Sequence, residues 1–291
     1  MTNTKTIPFC KAVASGNDFV VVDNRKGLIK NEKKFAQKVC RPHLDIGADG
    51  VLLVEKSNKA DFFMRIINSD GSEAETCGNG FRCITLYAHC VLGFPKKMKF
   101  ETLAGMIDGE ILSFSQNERP GDAGIWACMR AKMVNPKDYK KDIFLELEGI
   151  KKLLHCSFID TGVPHAVIFT EGLESVAVHE LGRKVRYHDR FMPRGTNVNF
   201  VEITGKSALS IRTYERGVEA ETLACGSGST AAAVIGCLTG HVQSPVKVKT
   251  KSGEILTVRM KIAGDKVRNV FLEGDAKIVF EGNILVKGDV K

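Results

Sequence analysis

The chain is poor in what nucleic-acid binders use to stack on bases: one Trp and four Tyr in 291 residues. Its net charge of +8 is scattered, as in Lys30, Lys33, Lys34 and Lys38, or Lys247, Lys249 and Lys251, and no RNA or DNA motif accompanies it. That surplus reads as solvated surface, or as the field of a protein that takes an acidic or zwitterionic small molecule. Nucleic acid is not an expected partner. No apolar run reaches the roughly 18 residues of a transmembrane helix, so no membrane is expected either. Met1 to Phe9 lacks the apolar core of a signal peptide, which makes the cytoplasm the expected compartment. There is no Cys-x-x-Cys, which argues against structural zinc. The nine cysteines, an odd count, read as thiols rather than disulfides. No Gly-x-Gly-x-x-Gly follows a strand, and no metal or pyridoxal motif is visible. The expected chemistry therefore uses no cofactor.

What is present is a repeated cysteine turn. Cys77-Gly78-Asn79-Gly80 has an echo in Cys225-Gly226-Ser227-Gly228, and each opens a strongly apolar helix. Similar segments precede them. Arg65-Ile66-Ile67-Asn68 and Glu73-Ala74-Glu75-Thr76 lead to the first, Arg212-Thr213-Tyr214-Glu215 and Glu219-Ala220-Glu221-Thr222 to the second. Gly109-Glu110-Ile111-Leu112 recurs downstream as Gly253-Glu254-Ile255-Leu256. This implies a duplicated fold that brings one cysteine from each half to a shared site.

Periodicity and turn signals predict strands at Phe19–Val22, Val51–Glu55, Phe62–Ile67, Met98–Thr102, Met106–Phe114 and Ile125–Val134. A helix capped by Asn31 is predicted over Glu32–Val39, and a buried one over Asn79–Leu92, stopped by Gly93 and Pro95. The second half repeats the plan. Strands are predicted at Cys156–Asp160, Ala166–Phe169, Asn199–Ile203, Leu209–Tyr214, Val246–Thr250, Ile255–Met260 and Val267–Leu272. Helices are predicted over Val178–Val185 and around Ala231–Ile235. The strand-like tail Ala276–Val286 is expected to pack back on the first half. The expected class is α+β, with two pseudo-symmetric domains, each a curved, mostly antiparallel sheet around a central helix. The boundary is expected near Pro120-Gly121, giving 1–121 completed by 275–291, and 122–274.

A cysteine at a helix start has its sulfur beside unpaired N–H groups and the positive end of the helix dipole. Both favour the thiolate. The flanking glycines let a ligand approach the backbone, and the same N–H groups suit a carboxylate. One such turn points to a nucleophile. Two facing turns point to proton removal from one face of a carbon and proton return on the other, that is, inversion.

Together with Ser15-Gly16-Asn17-Asp18-Phe19, Ile46-Gly47-Ala48-Asp49-Gly50, Asn68-Ser69-Asp70-Gly71-Ser72-Glu73, Pro164-His165 and Tyr214-Glu215-Arg216-Gly217, the two turns resemble the diaminopimelate epimerase family over nearly the whole chain. The resemblance implies that family's two-domain fold. It also implies cofactor-free conversion of LL-2,6-diaminopimelate to the meso isomer, on the route to lysine and peptidoglycan, by a homodimer. It implies Cys77 as proton donor and Cys225 as acceptor for the LL substrate. Gly78, Asn79, Gly226 and Ser227 would hold the reacting carboxylate end. Asn17, Asn68, Asn197, Glu215 and Arg216 would grip the rest, with His165 in support. The chain departs from the family at Val163, where Asn is common, and at Val13-Ala14-Ser15-Gly16, where His-Gly-x-Gly is common. Both departures bear on substrate contacts rather than on reaction type.

Cys10, Cys40, Cys83, Cys90, Cys128, Cys156 and Cys237 read as buried small hydrophobes. Asn17, Asn68 and Asn197 lie near turns, where Asn serves the backbone alone, and Glu215–Arg216 has the alternative of a surface ion pair. A proline or hydroxyproline racemase shares the two-cysteine logic, but would leave the extra Asn, Glu and Arg groups unpaired. A phenazine-type isomerase on this fold is expected to lack one or both cysteines. The distant alternative, a basic nucleic-acid-binding protein, predicts salt-dependent retention on DNA.

Overall fold

The structure, a computed structural model, describes residues 4–114, 124–150, 153–264 and 266–287. The expected domain boundary at Pro120-Gly121 falls within 115–123, outside the described residues. The chain divides into two compact units, Met1–Ala131 with Gly274–Lys291, and Lys132–Glu273.

In the first unit, β1 (Thr4–Ala14) and β2 (Asn17–Asp23) form a hairpin. Its loop residues Ser15 and Gly16 have φ of 54° and 80°, the left-handed backbone that two-residue hairpins require. In α1 (Glu32–Val39), Asn31 caps the first turn by accepting from the Lys34 N–H at 2.9 Å. The chain returns in β3 (Gly50–Glu55), parallel to β2, then in β4 (Phe62–Asn68) and the short β5 (Glu73–Ala74). Next come α2 (Gly78–Cys90), β6 (Lys97–Thr102) parallel to β4, β7 (Gly105–Phe114) and β8 (Ile125–Lys132). β8 pairs antiparallel with β7 and so belongs to this unit.

The second unit repeats the order. β10 (Leu154–Asp160) pairs antiparallel with both β9 (Lys137–Leu145) and β11 (Pro164–Phe169). α3 (Val178–Arg186) leads to β12 (Asn197–Gly205), parallel to β11. β13 (Ala208–Glu215) and β14 (Ala220–Thr222) lead to α4 (Gly226–Leu238), after which β15 (Val246–Lys249) lies parallel to β13. β16 (Ile255–Ala263) and β17 (Lys266–Lys287) finish the chain. In each unit the sheet is mostly antiparallel, as expected, and its parallel pairs arise where a helix crosses over.

The strands that lie between two helices bury both faces. In the first unit Phe19, Val21, Leu52, Val54, Met64 and Ile66 pack inward on α2 residues Phe81, Ile84 and Leu86. The alternate residues Val20, Val22, Val51, Leu53 and Ile67 pack outward on α1 residues Phe35, Ala36 and Val39. In the second unit Val167, Val201, Leu209 and Ile211 pack on α4 residues Ala231–Ile235, while Ala166, Ile168, Val198, Phe200 and Tyr214 pack on α3. This is why β2, β3 and β11 read as continuous apolar runs, whereas β6 and β15, buried on one face, alternate. Phe62 and Phe100 stack at 5.1 Å, and Phe81 meets Phe100 edge-on at 5.8 Å. Burying each such ring is worth about 1.5–3 kcal/mol.

Several local expectations differ from the structure. β1 and β9 were not anticipated. Pro8 and Lys11 interrupt the first, and Lys137-Asp138-Tyr139-Lys140-Lys141-Asp142 makes the second read as a loop. Val267–Leu272 and Ala276–Val286 are one strand, β17. Gly274-Asp275 reads as a turn, but the strand continues because Lys266–Glu273 pairs with β16 and Lys277–Lys287 with β1. The echo of Gly109 in Gly253 is not structural. Gly109 lies within β7 opposite Met98, whereas Gly253 closes the β15–β16 turn, the place of Gly105 in the first unit. The structural repeat there is Thr102–Gly105 with Thr250–Gly253, whose threonine hydroxyls donate to Gly105 O at 2.8 Å and Glu254 O at 3.2 Å.

Candidate active site

In each unit the cysteine turn is held by an arginine–glutamate fork. Arg65 on β4 donates to both oxygens of Glu73 on β5 at 2.7 and 3.0 Å. Arg212 on β13 donates to both oxygens of Glu221 on β14, again at 2.7 and 3.0 Å. Strand register agrees, with Ile67 opposite Glu73 and Tyr214 opposite Glu221. Glu73 therefore corresponds to Glu221, not to Glu219, and the Glu-Ala-Glu-Thr likeness is displaced by two residues. Bidentate pairs fix both distance and plane, which sets where each cysteine begins its helix. Arg212 also donates from Nη1 to the carbonyls of Leu173, Glu174 and Val176, each at 3.1 Å.

Cys77 is the N-cap of α2, with extended backbone (φ −155°, ψ 108°), and its Sγ accepts from the Gly80 N–H at 3.3 Å. Its thiol reaches Asn17 Oδ1 at 3.8 Å. Asn17 Nδ2 donates to Asp49 Oδ2, which also accepts from the Asp18 N–H at 3.1 Å. Lys11, nearly buried, neutralises Asp18 at 2.6 Å and donates to Gly47 O. A short polar chain thus turns the Asn17 carbonyl toward the sulfur. Asn79 accepts from Arg82 Nη2 at 2.7 Å, and the same nitrogen donates to Ser15 Oγ at 2.5 Å. Arg82 is fully buried inside α2. It was not anticipated as a site residue, although a cation in an otherwise apolar helix is the signal that marks it. Asn68 is half-buried at its turn, donating to Ser72 Oγ at 2.9 Å.

Cys225 caps α4 in the same way, with φ −126° and ψ 110°, and its Sγ accepts from the Gly228 N–H at 3.4 Å. The Ser227 hydroxyl lies 3.5 Å from the sulfur. Glu215 hydrogen-bonds Cys225 and accepts from Thr222 Oγ1 at 2.6 Å. Burial raises the Glu215 carboxyl above its ordinary range, and these two hydrogen bonds oppose the rise. Asn197 spends its amide on the backbone, donating to Pro164 O at 2.9 Å and accepting from the Arg216 N–H at 2.8 Å. Arg216 Nη1 donates to Arg194 O at 3.0 Å.

His165 is fully buried, and burial pushes its ring down to about 3, so it is neutral at physiological pH. Its Nδ1 lies 3.1 Å from Asn199 Nδ2. Asn199 was not anticipated. Asn is unusual inside a strand, and its spacing of two from Asn197 puts both on one face of β12. Thus Asn17, Cys77, Gly78 and Asn79 gather in the first unit, and His165, Asn197, Glu215, Arg216, Cys225, Gly226 and Ser227 in the second.

Of the other seven cysteines, most pack as small hydrophobes. Cys10, Cys40, Cys83 and Cys156 are buried, and burial is the main force pushing Cys10, Cys40 and Cys156 up to about 12. Cys237 is half-buried and pushed up to about 11, and Cys128 is also half-buried. Cys90 is exposed instead, because it is the last residue of α2, where the helix leaves its core.

A family model described as diaminopimelate epimerase matches residues 9–122 and 157–279. Curated relatives of that name include one from Aquifex aeolicus, 40% identical over 288 residues, covering 95% of this chain and 97% of the relative. Another, from Hydrogenobaculum sp., is 40% identical over 285 residues, covering 94% and 96%. Among solved structures, a hydroxyproline epimerase from Agrobacterium vitis superposes with TM-score 0.71 at 15% identity, covering 100% of this chain and 95% of that one. A phenazine biosynthesis protein of the PhzF family from Bacillus anthracis gives 0.70 at 16%, covering 97% and 100%. Those two likenesses are of fold.

Proposed function

This chain belongs to the diaminopimelate epimerase family, a family of isomerases, and on that footing we propose that it interconverts LL- and meso-2,6-diaminopimelate with Cys77 and Cys225 as its acid and base. The observation that carries the reading is the matched pair of N-cap cysteines, each sulfur accepting an N–H three residues on, at 3.3 and 3.4 Å. In the LL direction the Cys225 thiolate takes the α-proton and becomes a thiol. The Cys77 thiol gives a proton to the opposite face and becomes a thiolate. One C–H bond breaks and another forms, and the sulfurs end with exchanged protonation, ready for the reverse turnover. The electron pair left on carbon spreads into the α-carboxylate, whose developing charge suits the backbone N–H groups and dipoles at the Gly78-Asn79 and Gly226-Ser227 turns.

The Asn17 carbonyl, held by Asp49, supports Cys77 as the resting thiol. Asn68, Asn197 and Arg216 are assigned to the distal amino-acid end, and the Glu215–Cys225 contact supports a role for Glu215 at the base itself. No cofactor is required, since two thiols suffice for proton transfer. A cytoplasmic homodimer serving lysine and peptidoglycan synthesis belongs to the same reading. The test is incubation of LL-diaminopimelate in heavy water with chiral analysis. Meso product carrying deuterium at one α-carbon is expected. Absence of both exchange and conversion would refute the proposal, and comparable turnover of proline would replace it with the racemase reading.

A further inference from the structure

A fully buried polar network in the second unit centres on Asn199. Its side chain has three partners and is itself 0% exposed. Nδ2 lies 2.9 Å from Ala166 O and 3.1 Å from His165 Nδ1, and Oδ1 accepts from Thr213 Oγ1 at 3.0 Å. Thr213 is the residue directly opposite on β13. The orientation of the amide follows from chemistry. A carbonyl oxygen only accepts, so the group facing Ala166 O must be the NH2. The second hydrogen of that NH2 then points at His165 Nδ1, which must be the unprotonated nitrogen. The ring is neutral, so its proton is on Nε2. Nε2 is buried and has no hydrogen-bond partner among the described residues.

The same amide also backs the cysteine turn. A Cβ on Gly228 would lie 2.3 Å from Asn199 Oδ1, so the first turn of α4 rests directly on this side chain. Gly228 is the residue whose N–H reaches the Cys225 sulfur. One buried side chain therefore touches both the histidine and the turn that presents the cysteine.

We propose that Asn199 is a positioning residue of the second cysteine turn: it holds His165 as the Nε2–H tautomer, a fixed donor, and seats the Gly228 backbone that faces the Cys225 sulfur. This rests on the reading of Cys225 as a working acid/base group, but the tautomer measurement that tests it does not. In protein labelled with 15N-histidine, long-range proton–nitrogen correlations report which ring nitrogen carries the proton. His165 is assigned by the signals lost in His165→Gln. The expected result is a neutral Nε2–H ring, unchanged between about pH 8 and about pH 5, well above its folded pKa of about 3. In Asn199→Asp the ionised carboxylate only accepts, so the signal should move to Nδ1–H or to a doubly protonated ring. With LL-diaminopimelate that variant should lose about 10²-fold in kcat with KM little changed, as for a misplaced rather than missing group.

A wild-type ring protonated on Nδ1 would overturn the proposal even if the variant failed to fold. So would an Asn199→Asp protein that keeps Nε2–H, or one with a changed tautomer and unchanged kcat. Lack of turnover in the wild type would count against the epimerase reading while leaving the tautomer result to stand.

Discussion

Asn17 presents its side-chain oxygen, not its nitrogen, to the Cys77 sulfur at 3.8 Å, because Asp49 takes the nitrogen. A carbonyl oxygen in that place favours the protonated sulfur. Replacing Asn17 with Asp sets a carboxylate against both Cys77 and Asp49. The Cys77 thiol should then titrate about one unit or more higher, through like-charge repulsion. The measurement is the pH dependence of alkylation at the Cys77 peptide, read by mass spectrometry. An unshifted midpoint would mean that the sulfur does not face Asn17.

Cys77→Ser and Cys225→Ser should each lose at least about three orders of magnitude in epimerisation, roughly 4 kcal/mol of barrier. Cys83→Ser, one turn into the same buried helix, should keep turnover per folded molecule. Steady-state rates on the three purified variants decide it. A near-normal Cys225→Ser enzyme would leave the two-base scheme without support.

The two helix starts differ in their tolerance of a methyl group. On Gly80 a Cβ would meet Met64 Cε at 3.1 Å and Leu52 Cδ2 at 3.3 Å, the ends of flexible side chains. On Gly228 it would meet the locked Asn199 amide at 2.3 Å. Gly228→Ala should therefore cost about 1–3 kcal/mol in denaturant unfolding, and Gly80→Ala clearly less. Equal losses would argue that the Asn199 side chain yields freely.

His165 sets a pH dependence of stability. Unfolded, its ring titrates near 6.5. Folded, it is pushed down to about 3 mainly by burial, with Asp160 opposing the shift and Arg216 adding to it. Between those values the unfolded chain holds a proton that the native one lacks. This contribution is complete above about pH 6.5 and is lost as pH falls toward about 3. Urea midpoints at about pH 7.5 and about pH 5 should fall further in the wild type than in His165→Gln. Parallel losses would place the acid sensitivity elsewhere.

What was legible in the sequence was whatever local chemistry decides. Asn31 marked the start of α1, and the two Cys-Gly turns marked α2 and α4, because caps and glycines act within one turn of chain. Pairing was not legible. β9 has one apolar pair, Ile143 and Leu145, at its end, and it forms because β10 supplies hydrogen bonds to an otherwise charged segment. The Glu-Ala-Glu-Thr echo misled for the same reason: equivalence is set by which glutamate an arginine reaches across two strands, and two glutamates were offered in the second half. In the sequence, Asn199 and Arg82 are each an ordinary polar residue in an apolar run. Their burial, which gives them their meaning, is tertiary.

Strand β17 carries a consequence for the order in which the protein is made. Cys10 in β1 pairs with Glu281, and every residue of the second unit lies between them in the chain. On the ribosome, β1 can find β2 at once, but its other edge has no partner until the second unit has been synthesised. An unsatisfied strand edge is what chaperones bind and what neighbouring chains add to. The half that emerges first is thus the half that is completed last, and a ribosome stalled before β17 would release a chain whose first unit still has an open seam.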